Sequence, residues 1–383
     1  MSSIKTVAAK ALITCATVLL RIWYWLCHWC GVQNRIVCLS RQSNNPSIDF
    51  ELVKAYVTQH YPDYSVVLLA KTLDNRLAYI PHMLKQIYYL ATSTAVLLDS
   101  YCLAVSLLGK TIHAPVVQMW HSLGNLKRFG YATLNEPEGH SAQSAQLLHM
   151  HKGYDSVLIS SLSFASEFAQ SFGISTSLLY EAPLPRCDLL LDPAFINQQQ
   201  AKINQLVPET ALRKNIVYAP TLRKAPASNE QAAIAALVES VDFSKYNLIY
   251  KKHPVSTTEI RDPRVISEYP VDVDMLYVAD YIISDYSTVI YEAGLLDIPV
   301  FLYAYDWKDY SAKRSLAVDI QNDVPALFTD DPAKIMDAIE ADSFNHESYR
   351  AFTQANVALP VNETCTERIV NHLLSLTQKA TRA

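Results

Sequence analysis

The most constraining feature of this chain is a rhythm: short, almost wholly apolar runs, each followed by a loop and a segment long enough for a helix. A run that is apolar at every position suits a strand buried on both faces, and parallel sheets covered by helices bury strands in that way. The first series comprises Arg35–Leu39, Ser65–Ala70, Ala95–Asp99, Val116–Trp120 and Ser156–Ser160, with helices over Asp49–His60, Met83–Ala91 and Phe164–Phe172. The second comprises Asn215–Tyr218, Asn247–Tyr250, Tyr281–Ser284 and Val300–Tyr303, with helices over Glu230–Glu239, Met275–Val278, Thr288–Leu296 and Pro332–Ile339. A length of 383 residues exceeds what one core ordinarily serves. The expected organisation is a helix over 1–34, one α/β domain over 35–190, a Gln-rich hinge over 191–210, and a second α/β domain over 211–383 whose last helix is free to cross back.

Glycine is scarce. The chain has 8, where average usage of roughly 7% would give about 27. Neither G-x-G-x-x-G nor G-x-x-x-x-G-K-[ST] occurs, so any phosphate must be held without a glycine-rich cradle. A net charge of -5 gives no general attraction to nucleic acid, and none is expected as a partner. Seven cysteines, an odd number without paired spacing, read as reduced thiols, and Cys27-His28-Trp29-Cys30 reads as packing rather than a metal or redox site.

Between Ala11 and Gly31 the only formal charge is Arg21. At 100° per residue Lys10, Thr14, Thr17, Arg21, Tyr24 and His28 gather on a narrow stripe, opposite Leu12, Leu19, Ile22, Trp25 and Trp29. That pattern fits a helix lying in a membrane interface. A true span and a helix packed on the protein itself are the competing readings. A cleaved signal peptide is disfavoured, because Arg21 interrupts the apolar region and no small-x-small cleavage site follows.

Ligands of such sheets bind beyond the carboxyl ends of the strands. Four strand-end clusters carry suitable groups. Trp120-His121-Ser122-Leu123-Gly124-Asn125-Leu126-Lys127-Arg128-Phe129-Gly130 offers a proton acceptor, His121, beside the cations Lys127 and Arg128; a structural histidine is the other reading. Tyr218-Ala219-Pro220-Thr221-Leu222-Arg223 presents a hydroxyl and a guanidinium suited to phosphate oxygens, or simply a solvated loop charge. Lys251-Lys252-His253-Pro254 leaves His253 at a strand tip, where it can offset negative charge. Asp285-Tyr286-Ser287-Thr288 opens a helix whose first N–H groups and hydroxyls form an anion site or an ordinary N-cap, with Glu292 one turn on to meet a ribose hydroxyl. Asp272-Val273-Asp274 matches a metal-binding D-x-D pair, but Asp274 stands where a helix needs its cap, so no metal or other cofactor is expected.

Together and in this order, the clusters resemble the CDP-glycerol glycerophosphotransferase family, the teichoic acid primases and polymerases. The Trp120-His121 loop is similar to the family's tryptophan-histidine signature, Tyr218–Arg223 to its Y-A-P-T-x-R element, His253-Pro254 to its histidine-proline element. Asp285–Thr288 with Leu296-Asp297-Ile298-Pro299 resembles its D-Y-S-S helix and L-D-x-P turn, and Pro185-Arg186-Cys187-Asp188 a P-R-N-D element. Ser122, Thr288 and Cys187 depart from the family's usual residues.

The resemblance implies a GT-B-like α/β fold, two Rossmann-like domains facing across a cleft. It also implies transfer of glycerol phosphate or a related alditol phosphate from CDP-glycerol to a hydroxyl of an undecaprenyl-linked saccharide, releasing CMP, in teichoic acid or capsule synthesis. In that scheme His121 is the general base. Thr221, Arg223, His253, Asp285, Ser287, Thr288 and Glu292 hold the donor, while Lys127, Arg128 and Arg186 hold acceptor or anion. The implied location is the cytoplasmic side of the cell membrane, peripherally bound, with other wall-polymer enzymes as candidate partners; oligomeric state is not assigned. The alternatives are a GT-B glycosyltransferase using a nucleotide sugar and a non-catalytic membrane-surface scaffold.

Overall fold

A computed structural model describes residues 2–137, 139–223, 229–253 and 256–382; Pro254 of the histidine-proline element lies outside them. The elements in chain order are α1 (Ser2–His28), β1 (Gln33–Ser40), α2 (Ile48–His60), β2 (Ser65–Ala70), α3 (Arg76–Thr92), β3 (Ser93–Leu98), α4 (Leu103–Leu108), β4 (Val116–Gln118), α5 (Ala142–Leu147), β5 (Ser156–Ile159), α6 (Ala165–Phe172) and β6 (Leu179–Glu181). There follow α7 (Arg186–Leu190), α8 (Pro193–Leu206), β7 (Lys214–Tyr218), α9 (Glu230–Ser240), β8 (Tyr246–Tyr250), β9 (Val265–Ile266), β10 (Tyr281–Ser284), α10 (Val289–Leu295), β11 (Val300–Tyr303), α11 (Trp307–Lys313), β12 (Phe328–Thr329), α12 (Pro332–Glu340), α13 (His346–Asn356) and α14 (Cys365–Arg382).

Each half is a doubly wound, all-parallel sheet. The first has the order β2-β1-β3-β4-β5-β6 and the second β12-β11-β10-β7-β8-β9. Every residue of β4, β5, β8, β10 and β11 is buried, as strands sandwiched by helices must be. In the first sheet the strand order reverses between β1 and β3, and in the second between β7 and β10. Crevices at the carboxyl ends of those pairs are where such sheets receive ligands.

The chain divides into two compact units, but not at the expected boundaries. The first unit holds residues 1–122, 129–186 and 358–383; the second holds 123–128 and 187–357. The stretch 191–210, expected as a hinge, is instead helix α8 followed by a 3-10 turn. Asp192 caps α8 by accepting from Ala194 N, and Pro193 fills the first helical position, where its missing N–H is harmless. The last helix, α14, does return to the first unit, where Tyr180 stacks on His372 at 3.7 Å and Tyr61 donates to Asn371. Helix α3 starts at Arg76 rather than Met83, capped by Asn75 and running through Pro81.

Helix α1 packs in part on the first unit. Part of its polar stripe is turned inward: Tyr24 is 0% exposed and its hydroxyl meets His113 Nδ1 at 2.6 Å, while His28 Nδ1 donates to Ala91 O. Trp23 Nε1 donates to Leu84 O on α3. The opposite face stays bare, with Leu12 at 72% and Trp29 at 81% exposed. Residues 9–28 are long and apolar enough to cross a membrane by length and composition.

Candidate functional site

In the first unit the site grows from the turn after β4. Met119 N donates to Leu98 O, keeping the chain in the sheet one residue past β4, and Trp120 then turns left-handed at φ 66°. A tryptophan at positive φ costs about 1 kcal/mol or more and persists only where its surroundings fix it. Its ring stacks on Phe129 at 4.4 Å and meets the edge of Phe172, and its backbone N–H donates to Gln118 Oε1. That turn delivers His121 to the carboxyl end of β3, beside the crevice between β1 and β3.

There His121 Nδ1 lies 3.0 Å from Asp99 O. The same Nδ1 lies 3.1 Å from Gln42 Nε2: protonated, it donates to the Asp99 carbonyl and leaves Nε2 basic, and unprotonated it accepts from the Gln42 amide. Burial lowers the His121 pKa; the Asp99 carbonyl opposes this and the Arg186 charge adds to it. A neutral imidazole is the form a general base requires. Asp99 itself is 1% exposed, and burial pushes its carboxyl up to about 6.

Arg186 is brought to His121, but it is not a free anion receptor. Its guanidinium grips Asp49, with Nε 3.0 Å and NH2 2.5 Å from Oδ2, and its backbone N–H donates to Oδ1. Asp49 is itself 1% exposed. The pair, with Arg186 NH2 3.5 Å from His121 O, braces the Trp-His turn.

In the second unit the crevice between β7 and β10 is organised by Asp285. Its Oδ1 accepts from Thr221 N at 2.8 Å and Tyr286 N at 2.6 Å, joining the loops that leave those two strands. Arg223 lies across it with a side chain only 7% exposed. Its Nε and NH2 bind the two oxygens of Asp306 at 2.7 and 2.8 Å. Its NH1 donates to Thr221 O and forms an ion pair with Asp285 Oδ2 at 2.8 Å, off the hydrogen-bond axis. Burial opposes the charge, but Asp285 and Asp306 more than offset it, so the guanidinium stays protonated. Arg223, expected to hold phosphate, is therefore the keystone of a buried Asp–Arg–Asp cluster. Tyr286 extends that cluster, donating to Asp306 Oδ1 and stacking on Tyr310 at 4.0 Å. The Thr221 hydroxyl is buried without a hydrogen-bond partner, one group left for a ligand.

Residues 123–128, between His121 and Phe129 in sequence, belong to the second unit. Arg128 N donates to Ser315 O, Ala317 N donates to Leu126 O, and Lys127 lies over the Tyr310 ring at 5.7 Å. Gly124 has φ +56° and a Cβ there would fall 2.2 Å from the Tyr291 ring, so only glycine fits. His253 lies three residues past the end of β8, its pKa lowered first by partial burial and then by Lys127 and Lys251. That shift favours the neutral imidazole near neutral pH. Ser287 and Thr288 precede α10; Ser287 Oγ accepts from Val289 N at 3.4 Å, and Thr288 makes no side-chain cap. Glu292 is partly exposed in the first turn of α10. Asp274 caps the turn over Met275–Val278, and Asp272 pairs with Lys202.

Asp49, Asp99, Asp306 and Tyr286 were absent from the sequence-derived roles. Asp49 gives a signal as an acidic residue in the first turn of a helix, and Asp99 and Tyr286 stand at strand ends, whereas Asp306 gives none.

Two doubly wound units with functional groups at both switch points define the GT-B-like class of transferase architecture. The wall teichoic acid polymerase TagF has this fold: its solved structure superposes with a TM-score of 0.73 over 98% of both chains, at 17% identity. Residues 26–375 match the family model for CDP-glycerol:poly(glycerophosphate) glycerophosphotransferase, and the chain belongs to that family. Relatives include a teichoic acid ribitol-phosphate primase of Bacillus spizizenii, 26% identical over 85% of this chain and 87% of the relative. A teichoic acid glycerol-phosphate primase of Bacillus subtilis is 30% identical over 71% of each chain. Membership makes this a phosphotransferase of the teichoic acid type.

Proposed function

We propose that the chain transfers glycerol phosphate from CDP-glycerol to a hydroxyl of a lipid-linked saccharide, releasing CMP. The observation that carries the reading is His121, its charged form disfavoured by burial and its Nδ1 within hydrogen-bond reach of Asp99 O, the contact that leaves Nε2 as the basic nitrogen. The acceptor oxygen attacks the phosphorus that bears glycerol. Its proton passes to His121 Nε2, the new P–O bond forms, and the bond to CMP breaks with its electron pair leaving on CMP.

The donor belongs to the second unit in this scheme. Thr221, Ser287 and Thr288 supply hydroxyls, His253 donates a neutral N–H to the leaving phosphate, and Glu292 meets the ribose. Asp285 and Arg223 act by fixing the Thr221 loop, and Lys127 and Arg128 add positive charge. Positioning with preorganised donors is what phosphoryl transfer chiefly demands of a protein. An undecaprenyl-linked acceptor places the enzyme on the cytoplasmic face of the membrane, held peripherally by α1, with other wall-polymer enzymes as neighbours.

CDP-ribitol is the second donor to test, because the relative spanning 87% of its own length is named for ribitol phosphate. Incubating the protein with a lipid-linked acceptor and each CDP-alditol, and following CMP, separates the two. Turnover of a UDP-sugar without CMP release would sink both.

A further inference from the structure

Helix α1 and helix α5 enclose a groove of about 530 Å³ on the first unit. The α1 wall carries Lys10, Thr14, Thr17 and Arg21; the α5 side brings Gln146 and His149. No acidic residue lines it. Thr14 and Thr17 already donate to carbonyls of their own helix, so the two cations dominate the chemistry of this wall. In a chain of net charge -5 this is a local concentration of positive charge, with no acidic residue among the described lining.

What adjoins it says which anion. Around the same helix from Arg21 runs the bare apolar face of Leu12, Leu19, Ile22, Trp25 and Trp29, and helix α3 continues it with Leu77 (77% exposed), Ile80 and Leu84. Because Tyr24 and His28 pin α1 to the body of the unit, this face cannot turn inward. An isolated apolar surface of this breadth needs cover, and acyl chains provide it while amphipathic cations sit at headgroup level. Only a membrane lipid presents a phosphate at the rim of an apolar layer, matching the step from groove to face.

We infer that the α1–α5 groove binds the phosphate headgroup of an anionic phospholipid, with Arg21 and Lys10 as its cation ligands. The inference deepens the membrane-surface part of the proposed function and rests on it.

The test measures binding of the full chain to phosphatidylcholine vesicles with and without phosphatidylglycerol. Each cation near an anionic surface contributes about 5-fold in partition, so Lys10→Gln/Arg21→Gln should reduce the preference for phosphatidylglycerol by about 30-fold. Partition onto pure phosphatidylcholine and CMP release with a soluble acceptor should stay at wild-type levels. Lys54→Gln/Lys334→Gln, exposed cations on α2 and α12, should keep most of the preference, and Lys10→Arg/Arg21→Lys should retain it in full.

A double Gln variant that keeps its preference refutes the groove, as does one that loses phosphatidylcholine binding equally. An intact preference joined to a raised KM for lipid-linked acceptor would make the groove an acceptor subsite and overturn the assignment. Should the Gln variant fail to fold, loss of preference in the charge-conserving variant would overturn it. If wild-type protein ignores both vesicles, the membrane reading itself fails, whereas CMP release tests the reaction separately.

Discussion

Replacing Asp99 by Asn isolates the cost of a buried carboxylate on the residue whose backbone carbonyl meets the proposed base. Asp99 is 1% exposed, and burial pushes it up to about 6 from the 3.8 of a free carboxyl. Below the unfolded value it is protonated in both states and costs nothing. As pH rises toward 6 the unfolded chain ionises first, so the stability contributed by the folded state's bound proton is progressively lost. Above 6 the full gap applies, roughly 3 kcal/mol. At pH 4.5 the same relation gives about 1 kcal/mol. Asn does not titrate, so the advantage of Asp99→Asn over wild type should grow by about 2 kcal/mol between pH 4.5 and pH 8. His121, whose own pKa is lowered, titrates in both proteins, and its contribution largely cancels in the difference. Urea unfolding followed by tryptophan fluorescence reads this unit well, since Trp23, Trp25, Trp29 and Trp120 lie in it and only Trp307 lies elsewhere. An advantage that is constant with pH, or shrinks as pH rises, would refute a buried, proton-holding Asp99.

Other perturbations act on the remaining parts. His121→Ala should lower turnover by about 100- to 10,000-fold while CDP-glycerol binding, measured by calorimetry, changes little; an unchanged rate removes it as the base. Asp306→Ala leaves Arg223 buried with one carboxylate and should destabilise the second unit by about 3–5 kcal/mol, seen as a lower melting temperature together with weaker donor binding. Unaltered melting would show that the Asp–Arg–Asp cluster is not what holds the Thr221 loop. Gly124→Ala, forced to φ +56° against Tyr291, should cut turnover and leave vesicle binding unchanged.

Much of the fold was legible because fully buried parallel strands announce themselves as unbroken apolar runs. The short edge strands β6, β9 and β12, two or three residues each, carry too little pattern to be read. Helix α8 was mistaken for a hinge because its Gln and Asn residues mask helical periodicity, although Asp192-Pro193 is a recognisable helix start. At the candidate site, the strand-end placement of His121, Arg223, His253 and Asp285 is legible in the sequence. Their partners are not. Asp49 lies 137 residues from Arg186, and Asp306 lies 83 from Arg223. Distance along the chain hides both ion pairs, so two arginines that look like anion receptors prove to be braces. For α1, amphipathic spacing identified the stripe but not that Tyr24 and His28 would find His113 and Ala91.

The most direct test is CMP release by the purified full chain given CDP-glycerol or CDP-ribitol and a lipid-linked saccharide acceptor, with His121→Ala alongside. Acceptor-dependent CMP release by the wild-type chain, matched by alditol phosphate appearing on the acceptor and abolished in the variant, is the expected result. No CMP from either donor, or equal release by both proteins, would contradict an alditol-phosphate transferase that uses His121 as its base.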